Sequence, residues 1–477
     1  MVRFSEHFNL GKSQGELDFV DIRLDIDNRL YICPYAIQIR EDEWSEACGD
    51  HIRSYFNEIL DQLRNGNAER AQHLLSHLHE PNETFFGQSS GRPSGRGVGE
   101  YKALDLVNAL LNSRAFETGL LADVSDAELF IPGVGPDTIS DLVTNVIRGL
   151  LADYTLAECR LHEIPTSPTT SLGPSWNVVR RDWEAKTYQL PVFEGRPVLL
   201  VPWFSVRRRL SLNSQEFYNH YMISYLQSEY LDAGRALVET LKNGRQRVTK
   251  KSVKERHPFI KDDMAAFVRD HPEILERYKD LKGASGPLDI EDIEPNFDEN
   301  ALAQVLIDRL REIPTGGDSA DTYHSLMVGI CTFLFAPDLI APVKEFEQHN
   351  GRKRIDIKFT NASNDGFFGH SLASAQLRAR NILIECKNYT KELRNPELDQ
   401  LAGRFGHQRG FLGFLLCRNM DDRERIIASC RDTAADGRGF MIVFEDRDVA
   451  QMLQWVMEGR RSEIDRYLHR RLDEITD

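Results

Sequence analysis

The sequence predicts an α/β domain in the C-terminal part of the chain, preceded by a larger α+β region. Residues 283–300 combine Gly, Pro and a dense run of acids, which is typical of a linker. Beyond them, strand-length apolar runs alternate with stretches of helical periodicity. We therefore predict an α+β region over residues 1–282, with a possible subdomain break near 165–185, an acidic linker, and an α/β domain over residues 301–477.

The elements of the C-terminal domain follow from periodicity, turn residues and caps. Apolar side chains at helical spacing before Pro337 predict an amphipathic helix. Asn350-Gly351 is a hairpin signal between two strands, and Asn395-Pro396 is a strong helix start. The predicted core elements are helix 319–335, strands 339–348, 352–359 and 381–389, a helix from Asn395 to Phe405, and strand 411–417. A further helix, strand and closing helix would extend the sheet and cover its faces.

Two of the predicted strands carry charged side chains among apolar ones. The run RKRIDIKF contains Asp356, and the run ILIECKNYT contains Glu385 and Lys387. Because a strand alternates faces with a period of two, Glu385 and Lys387 share one face, whereas Cys386 points to the other. If the two strands are neighbours, Asp356 can meet this pair. The pattern predicts two carboxylates for a hard divalent cation, with an ammonium beside them. A surface salt bridge is the alternative.

This arrangement resembles the PD-(D/E)xK nuclease superfamily, which has the restriction-endonuclease-like fold. In that superfamily an Asp on the second strand and a Glu on the third hold Mg²⁺, and a Lys two residues after the Glu serves the attacking water. The resemblance implies that Asp356, Glu385 and the backbone carbonyl of Cys386 bind Mg²⁺ or Mn²⁺, and that Lys387 is catalytic. Ile355 departs from the pattern, since Pro often precedes the Asp. The predicted order helix, strand, strand, strand, helix, strand is also that of the superfamily core, an α-β-β-β-α-β mixed sheet with flanking helices.

The helix after the third strand adds a second point of resemblance. Several branches of the superfamily carry a Gln-x-x-x-Tyr pattern there, with the Gln near the active site. Gln400 matches, but Arg404 stands in place of the Tyr. Gln400, Arg404 and His407 would form one polar stripe of the helix. We interpret Gln400 as catalytic and Arg404 as a contact to the scissile phosphate; a solvated helix face is the alternative.

Three other charged side chains lie near these elements. Glu345 and Glu347 precede the Asp strand and are either an additional metal ligand or partners of the Arg352–Arg354 cluster. His324 lies on the first helix of the domain, and we interpret it as a packed or surface histidine rather than a ligand.

The resemblance implies a Mg²⁺-dependent endonuclease that hydrolyses DNA phosphodiester bonds. The alternatives are a nuclease fold that binds nucleic acid without turnover, a nuclease directed at RNA, and a structural or partner-binding protein. A large recognition or sensor region fused to such a nuclease resembles restriction and antiphage-defence effectors of prokaryotes. We expect the N-terminal region to take a partner protein or an activating ligand, and the protein to form a homo-oligomer.

Two stretches of the N-terminal region are candidates for contact with nucleic acid. IPGVGPDTISDLVTNVIRGL resembles a helix-hairpin-helix element, whose Gly-x-Gly turn contacts phosphates, with Gly133 and Gly135 at the matching positions. Asp137 in this stretch would repel phosphate. The alternative to a DNA contact is a turn that leads into a core helix. The basic run NGRQRVTKKSVKERHPFIK, with Lys250 and Lys251, is either a nucleic-acid surface or a solvated helix junction.

Two further stretches carry weaker signals. The Gly-rich run from Gly87 to Leu111 is either a surface loop or an anion-binding loop, since it matches no phosphate-binding motif. Residues 16–40 alternate acids with large apolar residues around Asp27-Asn28, which predicts a hairpin of half-buried strands.

Bulk composition limits the class of protein. The net charge of −15 argues against a protein that coats nucleic acid nonspecifically. The excess of acids is concentrated before residue 301, with 34 Lys and Arg against 47 Asp and Glu, compared with 25 against 27 after it. The seven cysteines show no paired spacing, which indicates free thiols in a reducing compartment. With no apolar signal core in MVRFSEHFNLGKSQ and no apolar run long enough to span a bilayer, we expect a cytoplasmic protein that is not bound to membranes.

Overall fold

The computed structural model describes residues 2–87, 100–234, 237–243, 245–348, 353–389, 393 and 395–476. The chain forms two compact units. Unit 1 comprises Arg23–Leu156 and Pro165–Leu288, and unit 2 comprises Val2–Ile22, Ala157–Ile164 and Asp289–Asp477. The division after Leu288 falls inside the predicted linker. The division is not linear in sequence, however, because two N-terminal segments group with the C-terminal unit.

Helices outnumber strands along the described residues. In chain order, the helices are α1 Phe4–His7, α2 Pro34–Gln38, α3 Glu43–Arg64, α4 Ala68–Ser76, α5 Glu100–Leu111, α6 Arg114–Glu117, α7 Val124–Phe130, α8 Pro136–Leu161, α9 Ser214–Glu216, α10 Ile223–Asp232, α11 Lys250–Arg256, α12 Lys261–Asp270, α13 Pro272–Gly283, α14 Ile290–Ile293, α15 Glu299–Glu312, α16 Ala320–Phe335, α17 Gly366–Ala373, α18 Asn395–Ala402, α19 Arg423–Ala435, α20 Asp446–Met457 and α21 Ser462–Thr476. The strands are β1 Tyr31–Ile32, β2 Ser167–Asn177, β3 Asp182–Leu190, β4 Val192–Phe193, β5 Arg196–Pro197, β6 Val206–Arg207, β7 Glu239–Thr240, β8 Gln246–Arg247, β9 Leu339–Gln348, β10 Lys353–Asn361, β11 Asn381–Lys387, β12 Leu412–Cys417 and β13 Phe440–Glu445.

Unit 1 consists of helices and two-stranded antiparallel pairs, of which β2 with β3 is long and the others have two residues per strand. The strand pairs are β1 with β6, β2 with β3, β4 with β5, and β7 with β8. Side-chain caps begin several helices, as at α3, where the Asp42 carboxylate accepts from the Ser45 N–H at 2.9 Å. No described helix has the length and apolar character needed to cross a membrane.

The predicted hairpin over residues 16–40 is wrong. Within this fully described segment, β1 is the one strand, and it pairs with β6 instead. The acids that alternate with apolar residues are buried rather than solvent-facing. Ser5 donates to Asp21 through its N–H at 2.8 Å and its hydroxyl at 2.7 Å, and the Ala341 N–H donates to Asp18. These carboxylates therefore accept hydrogen bonds from other parts of the fold. The alternation does not mark the solvent-exposed face of a strand.

Unit 2 is built around a five-stranded mixed sheet in the order β13-β12-β11-β10-β9. β9, β10 and β11 are antiparallel neighbours, whereas β11, β12 and β13 run parallel. α16 packs against β9, β10 and β11, and α18 packs against β11, β12 and β13. The predicted helices and strands occur in the predicted order along the chain, with one additional helix, α17, between β10 and β11, and the later helix, strand and helix follow as predicted. α17 lies in the stretch predicted as a polar connection, so that prediction is wrong there.

The core of unit 2 explains why these elements form. All of β12 and nearly all of β11 are buried, which is typical of strands covered on both faces. α16 buries Tyr323, Met327 and Ile330 completely. The predicted Asn350-Gly351 turn, the Gly-rich residues 88–99 with Arg92 and Arg96, and the side chains of Glu345, Glu347 and Arg352–Arg354 lie outside the described residues.

Candidate active site

The register of β10 and β11 brings Asp356 and Glu385 together. Ile357 pairs with Ile384 in this antiparallel ladder, so Asp356 and Glu385, one residue further along, are cross-strand neighbours. Side chains of such neighbours lie on the same face of a sheet. The Asp356 carboxylate also accepts from the Cys386 N–H at 2.8 Å, which fixes its position at the end of β11.

Lys387 joins the two carboxylates. Its ammonium is 3.2 Å from the Glu385 carboxylate and 3.9 Å from that of Asp356. Glu385 is 0% exposed and Lys387 is 7% exposed. The alternative of a surface salt bridge is therefore excluded, because both charged groups are inside the fold. The Cys386 side chain is also buried, while its backbone amide and carbonyl both take part in the site.

Gln400 and Arg404 cover the Glu385 carboxylate. The Gln400 amide donates to Glu385 Oε2 at 3.1 Å, and its carbonyl oxygen accepts from Lys387 at 3.3 Å. Arg404 Nε lies 3.8 Å from Glu385 Oε1. The structure thus excludes a solvated face for these two side chains.

The predicted helix stripe is nevertheless wrong in its geometry. α18 ends at Ala402, so Arg404 lies in the following turn and not on the helix with Gln400. His407, the third member of the predicted stripe, lies 3.4 Å from Arg378 instead, and is exposed. Arg404 reaches Glu385 because the chain turns back after α18.

Burial sets the electrostatics of the site. Burial, reinforced by the neighbouring Asp356 carboxylate, raises the pKa of Glu385 to about 7, although Lys387 opposes both effects. Burial acts to lower the pKa of Lys387, but the carboxylates of Glu385 and Asp356 outweigh it and raise the pKa above its usual value. The site therefore holds its lysine as an ammonium and binds a proton or a cation close to Glu385.

The donor atoms suit a hard divalent cation. Within the described residues, Glu385 Oε1 is buried and has no hydrogen-bond partner, and the Asp356 carboxylate acts on the same Glu385 carboxylate. Among the same residues, no three His, Cys, Asp or Glu side chains are grouped as a metal site. The protein would hold an ion with two carboxylates and the Cys386 carbonyl. This set fits Mg²⁺, which binds oxygen, keeps several waters and takes further ligands from phosphate.

His324 also lies at this site, as a half-buried histidine hydrogen-bonded to a backbone carbonyl. Its Nε2 is 3.2 Å from the carbonyl oxygen of Cys386 and 3.9 Å from the Asp356 carboxylate. One histidine on an amphipathic helix gives no signal in the sequence. Only the packing of α16 against β10 and β11 places its imidazole at the carbonyl predicted as a metal ligand.

Asn388 holds a loop against the end of β11. Its side-chain amide donates to the carbonyls of Pro314 and Gly316 at 3.0 and 2.9 Å, and the Gly316 N–H donates back to the Asn388 carbonyl at 2.8 Å. The loop leads into α16, so Asn388 ties the start of that helix to the strand carrying Glu385. No motif in the sequence indicates this role, because the partners of Asn388 are distant backbone carbonyls.

Gly133 and Gly135 lie in unit 1, whereas Glu385 and its neighbours lie in unit 2. The two glycines form a turn between α7 and α8, in which Gly133 is exposed, with a φ of +77°, and Gly135 is half-buried. The Lys261 ammonium binds the carbonyl of Val134 at 2.8 Å, so a basic side chain already holds this turn from one side. The local shape, two helices joined by a Gly-x-Gly turn, is as predicted.

Lys250 and Lys251 are also in unit 1, at the start of α11. Lys250 donates to the Ser224 hydroxyl at 2.9 Å, which fixes its direction. Lys251 is 87% exposed and lies 4.0 Å from the Glu255 carboxylate. Lys251 is therefore available to a polyanion.

Comparisons with known proteins bear on the first part of the chain. Residues 9–213 match the family model of DUF8370, a domain of unknown function. No curated protein and no solved structure matches the chain. The matched range includes Gly133 and Gly135 but ends before the sheet of unit 2, so it does not bear on Asp356, Glu385 or Lys387.

Proposed function

We propose that this protein is a metal-dependent nuclease that hydrolyses phosphodiester bonds in DNA. One observation carries the proposal. A fully buried glutamate lies beside an aspartate on the neighbouring strand, and a lysine, a glutamine and an arginine surround its carboxylate. A fold has little reason to bury such a group for stability alone, since desolvation of ionised groups is costly.

Each residue has a chemical task in this proposal. A bound Mg²⁺ supplies an activated water and polarises the phosphate. Asp356 and Glu385 would hold the ion, with the Cys386 carbonyl as the third protein ligand. Lys387 orients the attacking water and, as an ammonium, offsets charge that develops on the phosphate. Arg404 binds the phosphate. Gln400 hydrogen-bonds to both the Glu385 carboxylate and the Lys387 ammonium and so fixes their relative position.

The proposal also assigns unit 1 a part. We place target recognition or signal sensing there, with the Gly133–Gly135 turn and the Lys250–Lys251 surface as contacts to nucleic acid. A recognition region joined to a nuclease is the plan of prokaryotic restriction and antiphage-defence effectors, and this analogy supports a defence role. The exposure of Lys251 supports electrostatic contact with a phosphate backbone.

Plasmid cleavage by the full chain tests the proposal. Supercoiled DNA should be nicked or linearised with Mg²⁺ or Mn²⁺ and remain intact with EDTA. Asp356→Ala, Glu385→Gln and Lys387→Met should each lower the rate at least about 100-fold, as expected when a transition-state contact is removed. Glu445→Gln is a matched control, because Glu445 is equally buried at the end of β13 but accepts from the Met420 N–H.

The outcomes separate the alternatives. Cleavage of tRNA but not of plasmid would redirect the activity to RNA. Binding of DNA without metal or cleavage would indicate an inactive nuclease fold. Wild-type cleavage by Glu385→Gln would refute the assignment of the site, and equal loss in Glu445→Gln would attribute the effect to folding.

A further inference from the structure

Unit 2 contains a cavity of about 300 Å³ that none of the candidate active-site residues lines. Its walls come from the segment around Lys12, from the end of α8, from α16 and from β9. The lining side chains include Phe8, Lys12, Leu161, Thr322, Ser325 and Lys344. A volume at the lower end of small-molecule pockets suits a ligand of mononucleotide size rather than a larger cofactor.

Lys12 contributes a cation to the wall of this cavity. Lys12 is half-buried, and the carboxylates of Glu16 and Glu158 are the acids that act on its ammonium. Burial lowers the pKa of Lys12, and the nearby Glu16 carboxylate opposes this effect only in part. Because a desolvated ammonium is unfavourable unless it is paired, an anion bound in the cavity would stabilise Lys12.

The acids near Lys12 are poorly placed to neutralise it. The Glu16 carboxylate is committed to Arg309 at 3.4 Å and to the Ser13 N–H at 3.2 Å. Burial raises the pKa of Glu158 and so disfavours its charged form, and its carboxylate lies 3.5 Å from His162. A negatively charged ligand would neutralise the Lys12 ammonium better than either acid.

The first part of α16, whose Gly329 lies close to the Lys12 ammonium, offers donors suited to an anion. Lys344 donates to the Ser325 hydroxyl at 3.0 Å and pairs with Asp321, and the neighbouring Thr322 lines the same wall. A carboxylate presents its acceptor sites on two oxygens in one plane. A phosphate group, with three acceptor oxygens, can use Lys12, Ser325 and Thr322 together.

We propose that this cavity binds a small phosphorylated ligand. The phosphate pairs with Lys12 and accepts from Ser325 and Thr322, and the apolar part of the ligand lies against Phe8 and Leu161. Thr322 and Ser325 flank His324 along α16, so the ligand contacts the helix that carries the imidazole of the candidate active site. The proposal concerns binding and does not depend on nuclease activity.

Titration calorimetry on the full chain tests it with adenosine 5′-monophosphate, ribose 5-phosphate and inorganic phosphate as probes. At least one organic phosphate should bind saturably with one site. Lys12→Met should weaken binding at least about tenfold, the loss expected for one charge-assisted hydrogen bond. Lys186→Met is the matched control, because Lys186 is an exposed lysine of unit 1.

A second variant distinguishes loss of the binding site from misfolding of the protein. Thr322→Trp narrows the cavity but leaves Lys12 in place, and should abolish binding while the protein retains its circular dichroism spectrum. Absence of saturable binding for all three probes would overturn the proposal. Unchanged affinity in both Lys12→Met and Thr322→Trp would place any bound phosphate elsewhere and overturn it as well.

Discussion

His324 contacts two groups on which the proposed chemistry depends. Its imidazole lies at the carbonyl of Cys386 and near the carboxylate of Asp356. Both are predicted to bind the metal, so His324 is placed to orient them, and partners of metal ligands tune the metal and its affinity. The sequence predicted the carboxylates from strand alternation, but it could not predict His324, because that contact depends on how α16 packs.

Replacing His324 tests its role at the residue scale. His324→Leu should lower the rate of plasmid cleavage by about 10- to 100-fold, the range typical of side chains that orient metal ligands. His324→Gln can still donate to the Cys386 carbonyl and should retain more activity. Single-turnover rates with increasing Mg²⁺ measure the effect, and a wild-type rate in His324→Leu would exclude the orienting role.

Asp446 is a half-buried carboxylate with two partners. It accepts from the Tyr323 hydroxyl at 3.0 Å and pairs with Arg418 at 2.9 Å. Burial nevertheless raises its pKa to about 6, against the opposing effect of Arg418. The folded state then binds a proton more tightly than the unfolded state, so the stability contributed by the protonated form is lost as the pH rises from about 4 to 6.

The pH dependence of stability measures this shift. Relative to Asp446→Asn, the wild-type free energy of unfolding should fall by up to about 3 kcal/mol between pH 4 and 6 and stay level above that. Urea denaturation across this range gives the difference. Arg418→Met removes the cation that lowers the pKa of Asp446, so the pKa should rise further. The free energy of unfolding of this variant should therefore continue to fall to a higher pH. Parallel curves for wild type and Asp446→Asn would contradict the raised pKa.

At the scale of elements, prediction succeeded where side-chain pattern and burial agree. β11, β12 and β13 are largely continuous apolar runs, whereas β9 and β10 mix apolar with charged residues, and the sequence located each of these strands to within two residues. The hairpin prediction for residues 16–40 failed because acids such as Asp21 are buried and hydrogen-bonded, although their spacing is that of a strand's polar face. α17 was missed because GFFGHSLA is a single short stretch among polar residues, and its helix depends on packing against α21.

The early end of α18 has a steric cause that the sequence could not reveal. The Phe405 ring lies against Gly413 of β12 and against Gly439, where a Cβ would collide with it. Gly439 also has a φ of +118°, which favours glycine. Phe405 packs against these glycines, and the turn that precedes it places Arg404 beside Glu385. Two glycines distant from α18 in sequence thus position a site residue.

Gly413→Ala tests this arrangement. The new Cβ would lie 2.7 Å from the Leu383 carbonyl oxygen and 3.0 Å from the Phe405 ring, so β11 or Phe405 must move. Overpacking of this kind should destabilise the protein by about 1 to 3 kcal/mol and weaken cleavage through displacement of Arg404. Gly317→Ala is the control, since its Cβ meets nothing within 4 Å among the described residues. Equal melting temperatures for the two variants would contradict the steric account.

At the scale of the whole molecule, the chain divides inside the predicted linker, but it also divides at places that carry no linker signal. The segment Val2–Ile22 packs into unit 2, and it buries Phe4, Leu17 and Phe19 almost completely. A Cβ on Gly15 would lie 2.7 Å from Leu302, so this segment fits closely against α15. Composition indicates where a linker lies, but it does not indicate which distant segment packs into a domain's core. For that reason the linear domain prediction did not include residues 2–22 in the C-terminal domain.

A fragment of residues 289–477 therefore should not fold independently. Burial of Phe4, Leu17 and Phe19 contributes about 5 to 9 kcal/mol, which is comparable to the whole stability of an ordinary domain. Circular dichroism and limited proteolysis should show no cooperative melting for this fragment, in contrast to the full chain. Joining residues 2–22 to it through a flexible linker should restore part of the transition, because that segment supplies the missing apolar surface. If residues 289–477 alone melt cooperatively at the temperature of the full chain, the N-terminal segment is dispensable and unit 2 is complete without it.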